Sequence, residues 1–428
     1  MSSVQPHVAE KSAAYEVLEH LKNSEGWQSA TIESLISNGG IFVDGDWVES
    51  KDQDPNGDVR LIQLADVGDG AFRDRSERFL TSEKARELSC TFLASNDLLV
   101  ARMPDPLGRA CIFPGDKKPS VTVVDVAVVR PRNSEVNTRW LMYRINSPQF
   151  RRAVASMQSG STRQRISRKN LAKITFLLPP RRIQDDLVAE IEKQFSRLDE
   201  AVANLKRVKA NFRRYRASVL LELSQFDGKS LPAGWCLRTL PELGELERGK
   251  SKHRPRDDPK LYGGPYPFIQ TGDIRQSGGR IRRYSQTYSN AGLAQSRLWP
   301  KGTLCITIAA NIAETGILEF DACFPDSVVG FRTDGKLVTV RYVELYFRAI
   351  KEQLARNASA TAQKNINLEV LSKIAIPVPS MAEQRTIVES IDQKFSIVEE
   401  LEAQVKADLA RADRLRQATL ARAFRSAR

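Results

Sequence analysis

The chain is poor in histidine: His7, His20 and His253 are its three among 428 residues. Histidine-based metal or general-base chemistry therefore has few candidates. Its five cysteines, Cys90, Cys111, Cys236, Cys305 and Cys323, are scattered and form no CxxC pair. That argues against a zinc module and fits a reducing, cytoplasmic setting. No apolar run approaches the ~20 residues of a membrane span, so no membrane partner is expected. The opening MSSVQPHVAEKS has no signal-peptide core. Catalytic signatures are missing as well. There is no [DN]PP[YFW] or FxGxG pair for a methyltransferase, no HExxH, no GxSxG and no paired-carboxylate nuclease pattern. Together these absences favour a binding protein over an enzyme.

One catalytic string does occur. Residues Gly244 to Ser251 are a literal GxxxxGK[ST] match. A phosphate-binding loop needs a helix opening at its Lys. Pro255 and Pro259 follow closely and would break that helix, so a basic surface loop is the expectation.

What is abundant is positive charge. The chain holds 65 Lys+Arg against 52 Asp+Glu, a net charge of +13. Such a balance suits a polyanionic partner, most plausibly nucleic acid. Hydrophobic residues at 41% are enough to fill real cores. The length allows two to four domains.

The most informative feature is an ungapped self-match of Ile166–Leu223 with Ile366–Ala423. Identical pairs include Leu171/Leu371, Lys173/Lys373, Pro179/Pro379, Gln184/Gln384, Ile191/Ile391, Phe195/Phe395 and Arg216/Arg416. About 17 of roughly 60 positions agree, and a period this long marks a duplicated domain rather than a solenoid. Weaker echoes lie upstream. Gly26-Trp27 matches Gly234-Trp235, and the segment Leu61–Val67 matches Phe268–Ile274.

The tail of each repeat reads as a long helix. After Pro179-Pro180, apolar residues recur in steps of three and four from Ile183 through Val208, Tyr215 and Val219; the second copy runs from Ile387 through Leu401 to Leu420. Each would be roughly 65–70 Å long at 1.5 Å per residue. Their apolar stripes need burial, and the obvious partner for one is the other, antiparallel. The front of each repeat has short β-rich runs, such as Asp97–Arg102, Val121–Val129, Gly302–Ile308 and Ser327–Phe331, punctuated by turn residues. One helix is expected near Asn137–Met157 and another near Val340–Ala358.

Basic clusters supply candidate contacts. Arg163, Gln164, Arg165, Arg168 and Lys169 lie in a Ser/Thr/Gln-rich stretch, and the second copy has Gln363, Lys364 and Asn365 in the same place. Lys250, Lys252 and Arg254 form another cluster; Arg282 and Arg283, with Arg275 and Arg280, form a third. Lys and Arg neutralise phosphates, while Arg, Gln and Asn can pair with base edges. For any one residue a solvated surface charge is the plainer reading; together the clusters favour nucleic acid. Asp66 and Asp273, which recur, read as turn-capping residues. Trp27 and Trp235 are expected to anchor the start of each core.

These features resemble the specificity subunits of type I restriction-modification enzymes. The resemblance rests on the Gly-Trp starts, on Ile269–Ile274, and on the junctions Leu171-x-Lys-Ile to Gln184 and Leu371-x-Lys-Ile to Gln384. The first copy's Leu64-Ala-Asp-Val67 departs from the usual Gly-Asp-Ile. It implies an α+β fold with two homologous mixed α/β target recognition domains. Two long antiparallel coiled-coil helices would separate them, as an internal duplication with a pseudo-twofold axis. The domain expectation is a helical leader over 1–25 and recognition domain 1 over 26–180. A central spacer helix over 181–228, recognition domain 2 over 229–380 and a second spacer helix over 381–428 follow. Each domain would read one half of a bipartite, asymmetric site in double-stranded DNA. The subunit would hold no catalytic centre or cofactor. It would recruit two methyltransferase subunits and, through them, restriction/translocase subunits. S-adenosylmethionine, ATP and magnesium would be used by those partners. The competing readings are a coiled-coil adaptor without DNA recognition and an NTPase using Gly244–Ser251.

Overall fold

A computed structural model describes residues 26–37, 39–104, 106–132, 134–160, 163–224, 231–253, 255–309, 312–359 and 366–425. The leader helix expected at Val8–Leu21 lies outside them, as do Arg254, Gln363, Lys364 and Asn365. The chain divides into two compact units, Met1–Leu205 with Ala407–Arg428, and Lys206–Lys406.

The first unit opens on β1 (Gln28–Ala30), α1 (Ile32–Ile36), β2 (Ile41–Asp44), β3 (Val59–Ile62), β4 (Phe79–Leu80) and α2 (Ser82–Glu87). It continues with β5 (Leu98–Ala101), β6 (Ala110–Ile112), β7 (Ser120–Thr122) and β8 (Val126–Arg130). Then come α3 (Thr138–Asn146), α4 (Pro148–Ser156), α5 (Arg168–Ala172), β9 (Phe176–Leu178) and the long α6 (Arg181–Ser224). A four-stranded antiparallel sheet has the order β2-β8-β5-β6, and a three-stranded sheet the order β4-β3-β7. All four residues of β5 are buried, because this strand has apolar neighbours on both faces. One face packs with Trp140, Leu141, Ile145 and Phe150 of α3 and α4, and the same core takes in Leu187, Ile191 and Phe195 of α6.

The helix expected over Asn137–Met157 is two helices. Pro148 lacks a donor to continue α3, and the Ser147 hydroxyl instead accepts from the Phe150 amide to start α4. The run Val121–Val129 is likewise two strands, β7 and β8, parted by a turn at 123–125.

The second unit repeats the plan. It comprises β10 (Cys236–Thr239), α7 (Leu240–Leu243), β11 (Gly244–Arg248), β12 (Tyr262–Phe268), α8 (Thr271–Gln276), β13 (Gly279–Ile281) and β14 (Gln286–Tyr288). There follow α9 (Asn290–Ala294), β15 (Leu304–Thr307), β16 (Thr315–Leu318), β17 (Val328–Thr333), α10 (Val340–Ser359), α11 (Leu368–Ser372), β18 (Ala375–Val378) and α12 (Met381–Ala423). Its main sheet has five strands in the order β11-β17-β15-β16-β13. Buried Tyr342, Leu345 and Phe347 of α10 cover it, joined by Val219, Leu220 and Leu223 of α6 and Ile391 and Phe395 of α12.

The duplication is visible as chemistry. Gly26 and Gly234 both have left-handed φ, +89° and +85°, turning the chain into β1 and β10. Those strands pair antiparallel with β9 and β18. Gln184, fully buried, accepts from the Asn137 amide and donates to the Glu135 and Pro179 carbonyls. Gln384, also fully buried, accepts from Thr339 and donates to Leu337 and Pro379. Each glutamine thus ties the start of a long helix to the start of its unit's α3 or α10.

The long helices contribute one half each to each unit, antiparallel there. In the first unit Arg416 pairs with Asp199 and lies 4.4 Å over the Phe195 ring. In the second Arg216 pairs with Glu402 at 2.8 Å and faces Phe395 at 6.0 Å. Part of the expected apolar seam is not buried. Val208, Tyr215, Leu401 and Leu415 are 37–46% exposed, because they fall off the stripe that meets the sheets and the other helix. Trp235 also departs from expectation. Trp27 packs on the first core, but half-exposed Trp235 stands outside the second and bonds the Glu383 carboxylate at the start of α12.

Candidate nucleic-acid interface

In the first unit, Ser159 and Arg165 exchange two backbone hydrogen bonds of 2.8 Å and close a short hairpin. Gly160 has φ +95° there, and a Cβ on it would sit 2.3 Å from the Arg163 carbonyl oxygen. Glycine is therefore required for the turn. The hairpin holds Arg163, Gln164 and Arg165 exposed. Buried Ile166 anchors it, its amide donating to the Arg102 carbonyl at 3.1 Å. Ser167 then caps α5. Lys169 and Arg168 are both exposed on α5, but Arg168 is engaged by the protein. Its Nη1 donates to the Phe42 carbonyl at 2.8 Å and its Nε lies 3.5 Å from Asp44.

The second unit repeats this frame. Buried Ile366 donates to the Ile308 carbonyl at 3.1 Å, and Asn367 caps α11 in place of Ser167. Lys250 and Lys252 are exposed after β11. Ser251 between them is buried, its hydroxyl 3.5 Å from the Tyr288 hydroxyl. Residues 249–253 and 255–258 contain no helix, so Lys250 has no helix N-terminus to work with, and the phosphate-loop reading fails. Arg256 is paired with Asp326 at 3.0 Å. Arg282 and Arg283 are exposed beyond β13. Arg282 lines a cleft of about 280 Å³ with Arg216, Arg280, Arg341 and Arg348. Lys250 and Lys252 lie outside that cleft; the Lys250 carbonyl accepts from Ser296 beside α9.

Asp66 and Asp273 are structural. Asp66 is fully buried and accepts from the amides of Gln63, Arg75 and Ser76, at 2.6–2.8 Å, and from the Ser76 hydroxyl. Burial opposes its charge, but those hydrogen bonds outweigh burial and hold its pKa below the ordinary carboxylate value. Asp273 accepts from the Gln270 amide and the Ser285 hydroxyl. The basic residues of the first unit's Asp66-anchored loop, Arg73 and Arg75, escaped the sequence reading. The signal for them was available: with Asp66 set over Asp273, Arg73 falls on Arg280 and Arg75 on Arg282.

Among the described residues, no group of three or more His, Cys, Asp or Glu side chains could hold a metal ion, and no helix is long and apolar enough to cross a membrane.

Comparison with known proteins agrees with this architecture. Residues 232–411 match the family described as Type I restriction modification DNA specificity domain. The EcoBI specificity subunit of Escherichia coli is 22% identical over 428 residues, covering 94% of this chain and 86% of its own length. The EcoKI specificity subunit of Escherichia coli strain K12 is 23% identical, over 70% of this chain and 67% of its own. A solved chain of a type I R-M system superposes with TM-score 0.72 at 19% identity, covering 94% of this chain and 98% of that one. The HsdS subunit of Thermoanaerobacter tengcongensis superposes with TM-score 0.55 at 18% identity, covering 94% and 97%. The match falls on the second unit, and the structural likeness extends the shared fold over both units. Over most of its length the chain is similar to specificity subunits of type I restriction-modification systems.

Proposed function

We propose that this chain is the non-catalytic, sequence-reading subunit of a cytoplasmic type I restriction-modification complex. Each unit reads one half of a bipartite, asymmetric duplex site, and the long helices set the distance between the halves. The observation that carries the reading is a repeated frame beside unlike sequences. The Gln184 and Gln384 ties match bond for bond. The sequences just before Ile166 and Ile366 differ, Arg163-Gln-Arg165 against Gln363-Lys-Asn365. Two copies of one scaffold suit the near-twofold symmetry of a DNA backbone, while different side chains suit different bases. The contact residues of this reading are Arg163, Gln164, Arg165, Lys169, Lys250, Lys252, Arg282 and Arg283, with Arg254, Gln363, Lys364 and Asn365. Arg168 enters it only if it leaves Asp44. Exposed Val208, Tyr215, Ile397 and Leu401 on the long helices offer apolar surface to two methyltransferase subunits. Through these, the restriction subunits would join. S-adenosylmethionine, ATP and magnesium belong to those partners.

The test is a map of adenine methylation in the host genome with and without this gene. Loss of one split, asymmetric motif on deletion is the expected result. If purified chain with its methyltransferase partners bound and methylated no such motif, the reading would fall.

A further inference from the structure

The first unit has two further exposed arginines, Arg73 and Arg75, outside its 159–165 segment. The loop 63–78 joins β3 to β4, which pair antiparallel at Arg60 and Phe79, while β3 runs parallel to β7. In the second unit β12 and β14 pair antiparallel at Phe268 and Gln286, and Phe268 bridges Cys323 in parallel. The segment 269–285 between them, which carries α8 and β13, therefore holds the same place in the topology. Both loops begin with a glutamine whose amide donates to the anchoring aspartate, at 2.7 Å from Gln63 and 2.9 Å from Gln270. Both aspartates also take a serine hydroxyl, from Ser76 and Ser285.

The first unit's loop is fastened from several sides. Asp66 holds its far end through Arg75 and Ser76. Buried Arg109 holds its near end, Nε donating to the Val67 carbonyl at 2.6 Å and Nη2 to Leu64 at 2.8 Å. The loop's acids are mostly engaged: Asp66 by these donors, Asp69 by Arg151 at 2.9 Å, and Asp74 by Arg60. Glu77 is the acid left over. Arg78 donates to Gln53 at 2.8 Å. Arg73 and Arg75 are exposed, and their side chains make no hydrogen bond or ion pair among the described residues. A protein that fixes a loop this firmly and leaves two guanidinium groups unpaired has prepared them for an anion outside itself.

We propose that Arg73 and Arg75 are DNA-phosphate contacts of the first unit, Arg75 being the counterpart of exposed Arg282 in the second. The proposal rests on the DNA-recognition reading above. It assigns the first unit a two-part interface, Arg163 to Arg165 and loop 63–78. The loop positions the backbone, and Arg163 to Arg165 remain free to read bases.

The experiment uses the full chain assembled with its methyltransferase partners and a duplex carrying the mapped motif. Affinity is measured as a function of salt for wild type, Arg73→Ala/Arg75→Ala, Arg73→Lys/Arg75→Lys and Arg282→Ala/Arg283→Ala. Each lost phosphate contact should lower the slope of log K against log salt by about 1. The expected result is a slope lower by about 2 in the Ala pair, with binding weakened at least about tenfold, and near wild-type slope in the Lys pair. Wild-type affinity and slope in the Ala pair would overturn the proposal while leaving DNA recognition intact. Loss in the Lys pair as large as in the Ala pair would overturn the phosphate assignment in favour of base-edge contacts. No salt-dependent binding by wild type would take down the parent reading and this one together. Both residues are exposed, and an unchanged melting curve for each variant checks that the fold survives.

Discussion

Replacing Gln184 with Ala should loosen the first unit where its recognition scaffold meets the long helix. The side chain is fully buried and makes three hydrogen bonds of 2.8 Å, all to backbone groups. Alanine leaves the Pro179 carbonyl buried without that donor, and strands the Asn137 amide and Glu135 carbonyl in part-buried places. A buried unsatisfied group costs about 1–3 kcal/mol, and water can recover some of the cost at the two outer groups, so about 3 kcal/mol is expected. That is roughly a hundredfold increase in local opening. Native-state hydrogen exchange on peptides covering 135–146 and 180–190 reads it directly. The second unit serves as the internal reference, since its own glutamine is intact. Gln384→Ala should mirror the effect on peptides covering 337–348, because its bonds of 2.8–3.0 Å go to the equivalent groups. Exchange accelerated less than about threefold in both variants would refute the view that these glutamines fasten helix to scaffold.

Other expectations follow from the same coordinates. Gly330→Ala places a Cβ 2.7 Å from Trp299 and 2.8 Å from Phe324, in the stacked pair behind β17. It should cost about 1–3 kcal/mol, and an unchanged melting temperature would contradict that packing. Burial pushes the Asp46 carboxyl up to about 6, against the Thr91 and Cys90 hydrogen bonds that lower it. Its folded pKa lies above the unfolded value, so the stability it contributes is full below about pH 4 and is lost as pH rises through 6. Asp46→Asn should therefore raise the melting temperature at pH 8 but not at pH 4, and an equal shift at both would exclude this cause. Lys250→Ala and Lys252→Ala should each lower the salt slope of DNA binding by about 1, and a slope identical to wild type would remove them from the interface. Deleting about one heptad from both long helices should change the preferred half-site spacing; unchanged spacing in a binding-site selection would end the ruler role.

Some of this was legible because it recurs. An ungapped match of 166–223 on 366–423 carried Gln184, Phe195 and Arg216 onto Gln384, Phe395 and Arg416, and all six are structural in equivalent ways. Strands β5 and β15 were legible as short runs, apolar apart from Thr307. The break at Ser147-Pro148 was also written in the sequence but was masked by apolar residues of helical spacing on both sides. Arg73 and Arg75 were legible by extension. The match of 61–67 with 268–274 already set Asp66 over Asp273, and extending it by nine residues reaches them; the structure adds that their side chains are exposed.

The amino-acid pattern alone determined the duplication, the two long helices and the basic, histidine-poor character that points to nucleic acid. These depend on local periodicity and on composition, which do not need a third dimension. Tertiary structure decided which charges are free to act. Arg168 and Arg165 look alike in sequence and both are exposed, yet Arg168 is engaged by Asp44 and the Phe42 carbonyl while the Arg165 side chain has no such partner among the described residues. Tyr215 and Val219 both sit at helical spacing, yet Val219 is buried in the second core and Tyr215 faces solvent. An ion pair or a buried face depends on a partner distant in the chain, and only the folded arrangement supplies that partner.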